Sequence, residues 1–162
     1  MMVLALFGLV TVECSSGQAM EESDRKFVEY CLHNFQDLGT AEPLIKKVSA
    51  ILEKDPGATR ARFLLGLLLE KSGYESLALE QYQKCIEEYP QSYDFHYQLL
   101  LVSIKTRETD LTQKELAELK KLAAGDGLKL LQLGLTMENA GFSKFADALY
   151  EEAARARTRA FG

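Results

Sequence analysis

The sequence predicts an all-α protein built as a helical-repeat superhelix of about four antiparallel helix pairs. The first observation behind this is a spacing: Leu65-Gly66 recurs as Leu133-Gly134, an offset of 133 − 65 = 68, which is twice 34. The second is that apolar residues recur at helical spacing, as in the segment 77–89, which Pro90 ends. A fixed period of roughly 20 to 50 residues is typical of stacked helical repeats.

Composition predicts one globular domain and excludes several classes of protein. The chain has 162 residues, of which 47% are hydrophobic and 27% charged, too apolar for a disordered chain. The several apolar runs of about 20 residues that a multi-span membrane protein needs are not present. The formal net charge of −5 argues against a nucleic-acid partner, because such surfaces are basic.

The 34-residue period sets the boundaries of the repeats. The same offset of 68 places Gly73-Tyr74 on Gly141-Phe142 and Ala78 on Ala146. We therefore predict a repeat domain over 20–162, with repeats at about 25–58, 59–92, 93–126 and 127–160.

Individual elements follow from local signals. In the fourth repeat, helices are predicted over 129–139 and 144–158, around a turn at Ala140-Gly141. In the third, Thr112-x-x-Glu115 has the form of a capping box and predicts a helix over 113–123. The stretch 93–99 alternates like a strand, but its place in the period favours a first helix, and we predict a helix there.

The second and fourth repeats resemble the tetratricopeptide repeat, whose pattern is W-x2-L-G-x2-Y, A-x3-F and P at period 34. The second repeat has Leu65-Gly66, Ala78-x3-Tyr82 and Pro90, and the fourth has Leu133-Gly134 and Ala146-x3-Tyr150. The first repeat keeps only Gly39 and Pro56, and the third has Arg107 in place of the inter-helix glycine. The resemblance covers residues 25–160 and implies a fold rather than a particular function.

No residue pattern indicates an enzyme, a metal site or a cofactor, and we predict none. The two histidines, His33 and His96, fall in different repeats without neighbours at ligand spacing. Gly125-Asp126-Gly127 lacks the remainder of a phosphate-binding loop and is interpreted as one helix end followed by a helix cap. Cys31 and Cys85 are predicted to be free thiols.

A candidate partner-binding surface lies on the first helices of the repeats. These helices are apolar on opposite faces, so both faces need to be covered. One face points into the helix pair, and in proteins similar to this one the other face lines the concave groove that binds peptides. This groove lacks the Lys, Arg and Asn with which family members hold acidic tails, so the resemblance implies an apolar segment of another protein as partner. We call its seven residues the groove face: Phe63, Leu67, Tyr97, Leu101, Ile104, Leu131 and Leu135.

The amino-terminal segment 1–19 predicts an export signal, either cleaved after Ala19 or retained as a membrane anchor. Residues 3–12 are apolar, and Gly17-Gln18-Ala19 offers small residues for cleavage. No Lys or Arg precedes the apolar run, which leaves an ordinary first helix as the alternative, and Glu13 argues against lipidation of Cys14. The corresponding localisation is exported, periplasmic or envelope-associated; the alternative is cytoplasmic.

The function expected from these observations is a non-catalytic scaffold for protein–protein interaction. It would bind an apolar peptide or helix, as an accessory factor in envelope, secretion or pilus assembly. Two alternatives remain open: a homo-oligomer, such as a homodimer whose grooves cover each other, and a cytosolic chaperone for a hydrophobic secretion substrate.

Overall fold

A computed structural model describes residues 20–161 of the chain, with side chains as far as residue 157. This part consists of eight α-helices, a short 3₁₀ turn at Phe35–Asp37 and no strand, which confirms the all-α prediction. Short links join the last six helices into three antiparallel pairs, and the two helices of each pair pack on each other. The helices are α1 (Glu22–His33), α2 (Ala41–Lys54), α3 (Thr59–Lys71), α4 (Glu75–Glu88), α5 (Tyr93–Thr106), α6 (Thr109–Leu122), α7 (Gly127–Asn139) and α8 (Ser143–Phe161).

The turns inside the last three pairs share one backbone conformation at equivalent positions. Gly73 and Gly141 have φ of 80° and 83°, in the left-handed region that glycine enters without a steric cost. Arg107 occupies the same position in the third pair with φ of 61°, the one positive φ outside glycine in the described residues. The 34-residue period therefore fixes the turn geometry even where the glycine is missing.

The third pair also corrects the prediction of a capping box. Helix α6 begins at Thr109 rather than Gln113, so Thr112 and Glu115 lie inside it. The Thr112 hydroxyl donates to the Glu108 carbonyl at 3.0 Å and is 2.9 Å from the Ser103 hydroxyl on α5. Local sequence favoured a helix start, but these polar side chains bond across the helix pair instead. The prediction of a helix over the alternating stretch 93–99 is confirmed by α5.

Glycines allow the two helices of the second and fourth pairs to approach closely. A Cβ built on Gly66 would lie 2.5 Å from Cε1 of Tyr82, and one on Gly134 would lie 2.6 Å from Cδ1 of Tyr150. Both glycines are buried mid-helix, where glycine lowers helix stability by about 1 kcal/mol relative to alanine. Glycine is required at both positions because a side chain there would overlap the tyrosine ring.

Buried side chains form two hydrophobic clusters that meet at α5. Leu99 and Val102 belong to the cluster that extends back to α1, whereas Leu100 belongs to the cluster that extends to α8. Helix α3 contacts both α1 and α2, and α4 packs on α5. On the first helices, the apolar face opposite the groove face points into the pairs, and its residues are all buried: Leu65, Leu69, Leu99, Val102, Leu133 and Met137.

Candidate interaction site

The seven residues of the groove face lie on the first helices α3, α5 and α7, at positions 34 residues apart. Their exposure is lower in the second and third pairs than in the fourth. Phe63, Leu67, Tyr97, Leu101 and Ile104 are half-buried, whereas Leu131 and Leu135 are 42% and 49% exposed. The structure thus places all seven on equivalent helices but gives them different environments.

Phe63 and Leu67 on α3 take part in packing between pairs. The centroid of the Phe63 ring is 5.0 Å from that of Phe95 on α5 and 5.8 Å from that of Tyr82 on α4. Both Phe63 and Leu67 pack against the first hydrophobic cluster. The third pair therefore covers part of the surface that these two residues were predicted to offer to a partner.

Tyr97 and Ile104 on α5 join the third pair to the fourth. The Tyr97 ring stacks on Tyr93, with centroids 5.9 Å apart and an interplanar angle of 12°. Its hydroxyl is 2.8 Å from the Thr136 hydroxyl on α7, and Ile104 packs against the second hydrophobic cluster. These contacts stabilise the superhelix and reduce the surface available to a partner.

Helix α7 carries the most exposed apolar side chains of the groove face. Leu131 and Leu135 lie on the same side of the helix as Leu128, which is 80% exposed. Leu128 was not predicted as part of this surface, although its spacing of three residues from Leu131 was a sufficient signal. We call Leu128, Leu131 and Leu135 the terminal stripe.

Two tyrosines at equivalent positions also differ in exposure between the second and fourth pairs. Tyr82 of the second pair is completely buried, and burial raises the pKa of its hydroxyl. Tyr150 of the fourth pair is half-buried, and its hydroxyl donates to Glu138 Oε2 at 2.5 Å, which raises its pKa to about 12. The fourth pair therefore exposes surface that the second pair buries.

Charges on α5 and α3 meet beside the buried Tyr82. Burial raises the pKa of Glu70, and the neighbouring Lys105 of α5 acts in the opposite direction. Lys105 Nζ lies 2.8 Å from Glu75 Oε1 on α4. Helix α5 thus brings a cation to the acidic edge of the pair on which it packs.

The remaining polar residues are explained by packing. His96 Nδ1 lies 2.6 Å from Glu115 Oε2, its Nε2 lies 3.0 Å from the Pro90 carbonyl, and both side chains are buried. In the described range there is no group of three or more His, Cys, Asp or Glu side chains that could hold a metal ion. The Asp126 side chain accepts from the amides of Leu128 and Lys129, which confirms the predicted helix cap.

Cys31 and Cys85 are buried and free, as predicted. Burial raises the pKa of Cys31 and raises that of Cys85 to about 12, so neither thiol is activated. None of the described helices is both long and apolar enough to cross a membrane. The predicted export signal at 1–19 lies outside the described residues.

Comparison with solved structures agrees with the repeat geometry. The chain has a tetratricopeptide-like fold. A crystal structure of MamA superimposes with a TM-score of 0.64 over 85% of this chain and 82% of that chain, at 20% sequence identity. MamA 41-end from Desulfovibrio magneticus RS-1 gives a TM-score of 0.63 over 89% and 98% of the two chains, at 13% identity.

A further MamA structure, an RS-1 double mutant, matches with a TM-score of 0.65 and 16% identity, covering 87% of this chain and 77% of that chain. No protein-family model matches the sequence, and no curated protein is significantly similar to it. At these identities the comparison establishes the fold.

Proposed function

We propose that this protein is a non-catalytic scaffold that binds an apolar segment of another protein on the groove face. The observation that carries the proposal is the terminal stripe on α7, where Leu128, Leu131 and Leu135 are exposed side by side. Clustered apolar exposure of this kind marks interaction surfaces in water-soluble domains. The similarity of the fold to MamA, a tetratricopeptide-like protein, supports a scaffold.

The residues of the groove face are expected to contribute unequally to partner binding. Leu131 and Leu135 offer the exposed contact surface, and half-buried Leu101 extends it onto α5. Phe63, Leu67, Tyr97 and Ile104 mainly hold neighbouring pairs together and contribute their exposed edges. We therefore expect the binding energy to concentrate on α7, as it concentrates on a few residues in most interfaces.

Point substitutions on one helix separate binding from folding. Leu135→Asp places a charge on an exposed position and is expected to leave helicity and melting temperature near those of the wild type while abolishing partner capture. Leu133→Asp, two residues earlier on the buried face, is expected to unfold the protein, because it puts an unpaired charge where exposure is 0%. Circular dichroism and quantitative pull-down from extracts of the native host measure the two effects.

A matched control is available on α4. Leu77 is 47% exposed, close to the 49% of Leu135, but it lies on a second helix away from the groove face. Leu77→Asp is expected to leave both folding and partner capture unchanged. Equal capture by the wild type and Leu135→Asp, with both proteins folded, would contradict the proposal.

We also propose that the scaffold is exported and acts in envelope, secretion or pilus assembly, with residues 1–19 as signal or anchor. The support is the apolar run 3–12 followed by small residues. Amino-terminal sequencing of fractionated native protein tests this, since a cleaved form begins at Met20. An intact Met1 in soluble cytosol would overturn it and would favour the cytosolic chaperone.

A further inference from the structure

The second pair shows what normally covers the surface that the fourth pair leaves open. Helix α5 packs on the second pair through side chains on one of its faces. The Phe95 ring lies against Phe63, with centroids 5.0 Å apart, while Leu99 and Val102 enter the first hydrophobic cluster. These three residues stand at positions i, i+4 and i+7 of a helix.

Charge accompanies this packing at position i+10 of the same helix. Lys105 of α5 ion-pairs with Glu75 of α4 at 2.8 Å and opposes the effect of burial on the pKa of Glu70. At the next junction both equivalent positions are uncharged, because Ile104 replaces the glutamate and Asn139 replaces the lysine. In the fourth pair Ser143 stands at the position of Glu75, so Glu138, the equivalent of Glu70, is the acidic side chain left to pair with a cation on a covering helix.

The fourth pair repeats the surface of the second but has no helix over it among the described residues. Leu131 stands at the position of Phe63, Leu135 at that of Leu67, and Tyr150 at that of Tyr82. Tyr82 is 0% exposed, whereas Tyr150 is half-buried. Glu138 is equivalent to Glu70, yet in the described part of the chain it is exposed and has no ion pair.

We infer that the partner segment is an amphipathic helix that packs on α7 and α8 as α5 packs on α3 and α4. Its contacting side chains are aromatic or aliphatic at i, i+4 and i+7, and Lys or Arg at i+10 pairs with Glu138. The inference rests on the proposed function and specifies the partner's conformation, sequence pattern and charge. Stacked repeats bury their apolar faces against neighbouring repeats, and an apolar face without such a neighbour requires another cover.

The first helix of a second copy does not fit this pattern. Of the residues equivalent to those four of α5, Phe27 and Cys31 lie in α1, whereas Asn34 lies just past its end and Asp37 lies in the 3₁₀ turn. The helical pattern therefore stops after i+4, and the residue at i+10 is negative. End-to-end stacking of copies therefore does not supply the pattern, and a dimer through facing grooves is distinguished by the sedimentation experiment below.

A designed peptide tests the inference directly. The probe is a fluorescein-labelled, alanine-based helix that carries the Phe, Leu, Val and Lys of α5 at the four positions, with glutamine on its other faces. Fluorescence anisotropy is expected to show saturable binding to the wild type and none to Leu135→Asp. A scrambled peptide of the same composition is the control.

Charge reversal tests the register of the helix. Glu138→Lys is expected to weaken binding about three- to tenfold, as is a peptide with Glu at i+10. Combining the two reversals is expected to restore affinity. Glu80→Lys, at an exposed position on α4, is the matched control and is expected to have no effect.

The outcomes separate this inference from the proposed function. Equal binding of the scrambled peptide, or the absence of charge rescue, would overturn the helical pattern. If the peptide fails to bind while pull-down still depends on Leu135, the helix inference is wrong and the scaffold proposal stands. If sedimentation shows a wild-type dimer that Leu135→Asp dissociates, a second copy covers the stripe and the inference is overturned.

Discussion

The second and third helix pairs use the same backbone plan with different side chains at their closest approach. In the second pair Gly66 leaves room for the ring of Tyr82, and the fourth pair repeats this with Gly134 and Tyr150. The third pair has Leu100 and Leu116 at these positions, both buried in the second hydrophobic cluster. A large and a small residue are thus exchanged for two of intermediate size, which preserves the volume between the helices.

Buried polar residues of the third helix pair also replace apolar residues of the fourth two at a time. His96 and Glu115 of the third pair stand where the fourth has Leu130 and Leu149, all of them buried. A second polar pair, made by the hydroxyls of Ser103 and Thr112, replaces the apolar pair of Met137 and Ala146. Each of these four polar residues has its partner at the matching position of the other helix, so their burial leaves none of the four unsatisfied.

The comparison shows that the repeat constrains combined volume and hydrogen bonding rather than single residue identities. A substitution of one member of a pair therefore costs more than the substitution of both.

His96→Leu alone is expected to destabilise the protein by about 3 to 5 kcal/mol, because the buried Glu115 side chain loses its hydrogen-bonded partner and keeps only Lys114 Nζ, 4.0 Å from its Oε1. The double variant His96→Leu/Glu115→Leu copies the fourth pair and is expected to be near neutral or more stable. Urea denaturation of both variants measures the difference. A single variant that is as stable as the double would contradict the pairing argument.

Gly66→Ala is expected to destabilise the protein by about 1 to 3 kcal/mol, because the new methyl group overlaps the immobile ring of Tyr82. Gly134→Ala creates the same overlap with Tyr150, but that ring is half-buried and has room to swing outward. Its cost is therefore expected to be offset by the better helix propensity of alanine. Thermal denaturation compares the two, and equal effects would show that the end of the superhelix is as rigid as its middle.

Arg107→Gly is expected to stabilise the protein by about 1 kcal/mol, because a left-handed backbone is costly for arginine and free for glycine. It gives the third pair the turn residue of the second and fourth. The reciprocal variant Gly73→Arg is expected to lose a similar amount. Chemical denaturation tests both, and a destabilised Arg107→Gly would show that the arginine side chain has a structural role of its own.

Glu70→Gln is expected to have the smallest effect, and one that depends on pH. Burial raises the pKa of Glu70, so the folded state favours the neutral carboxyl. Its contribution to stability is present below the ordinary glutamate pKa and is lost as pH rises through the raised value in the folded state. The glutamine variant should gain stability relative to the wild type at about pH 8 but not at about pH 4, as measured by urea denaturation at each pH. A gain of equal size at both pH values would contradict this assignment.

Much of the fold was predictable because the same residue pattern occurs in several repeats of the sequence. The recurrence of Leu65-Gly66 as Leu133-Gly134 located two pairs, and the 34-residue period then placed the degenerate third pair, including its helix over 93–99. Local rules failed where tertiary partners took over. The capping box at Thr112 was wrong because Ser103 and His96 on α5 supply partners for Thr112 and Glu115 inside the helix.

The candidate site was predictable in position but not in exposure. Periodicity identified Phe63, Tyr97 and Leu131 as equivalent residues, and they do lie on equivalent helices. It could not show that Phe63 is covered by Phe95, because that contact joins two pairs and has no local signal in the sequence. Leu128 was missed despite its three-residue spacing from Leu131, and it is the most exposed of the large apolar residues in the described chain.

The sequence by itself determined the helices, their pairing and the buried face of each first helix, because these depend on spacing within about one repeat. The tertiary structure decided which apolar faces remain open. A side chain is buried or exposed according to whether another pair follows it in space, and equivalent sequence positions differ in this respect. Tyr82 and Tyr150 occupy the same place in their repeats, yet one is completely buried and the other only half-buried, because α5 follows the second pair and no described helix follows the fourth.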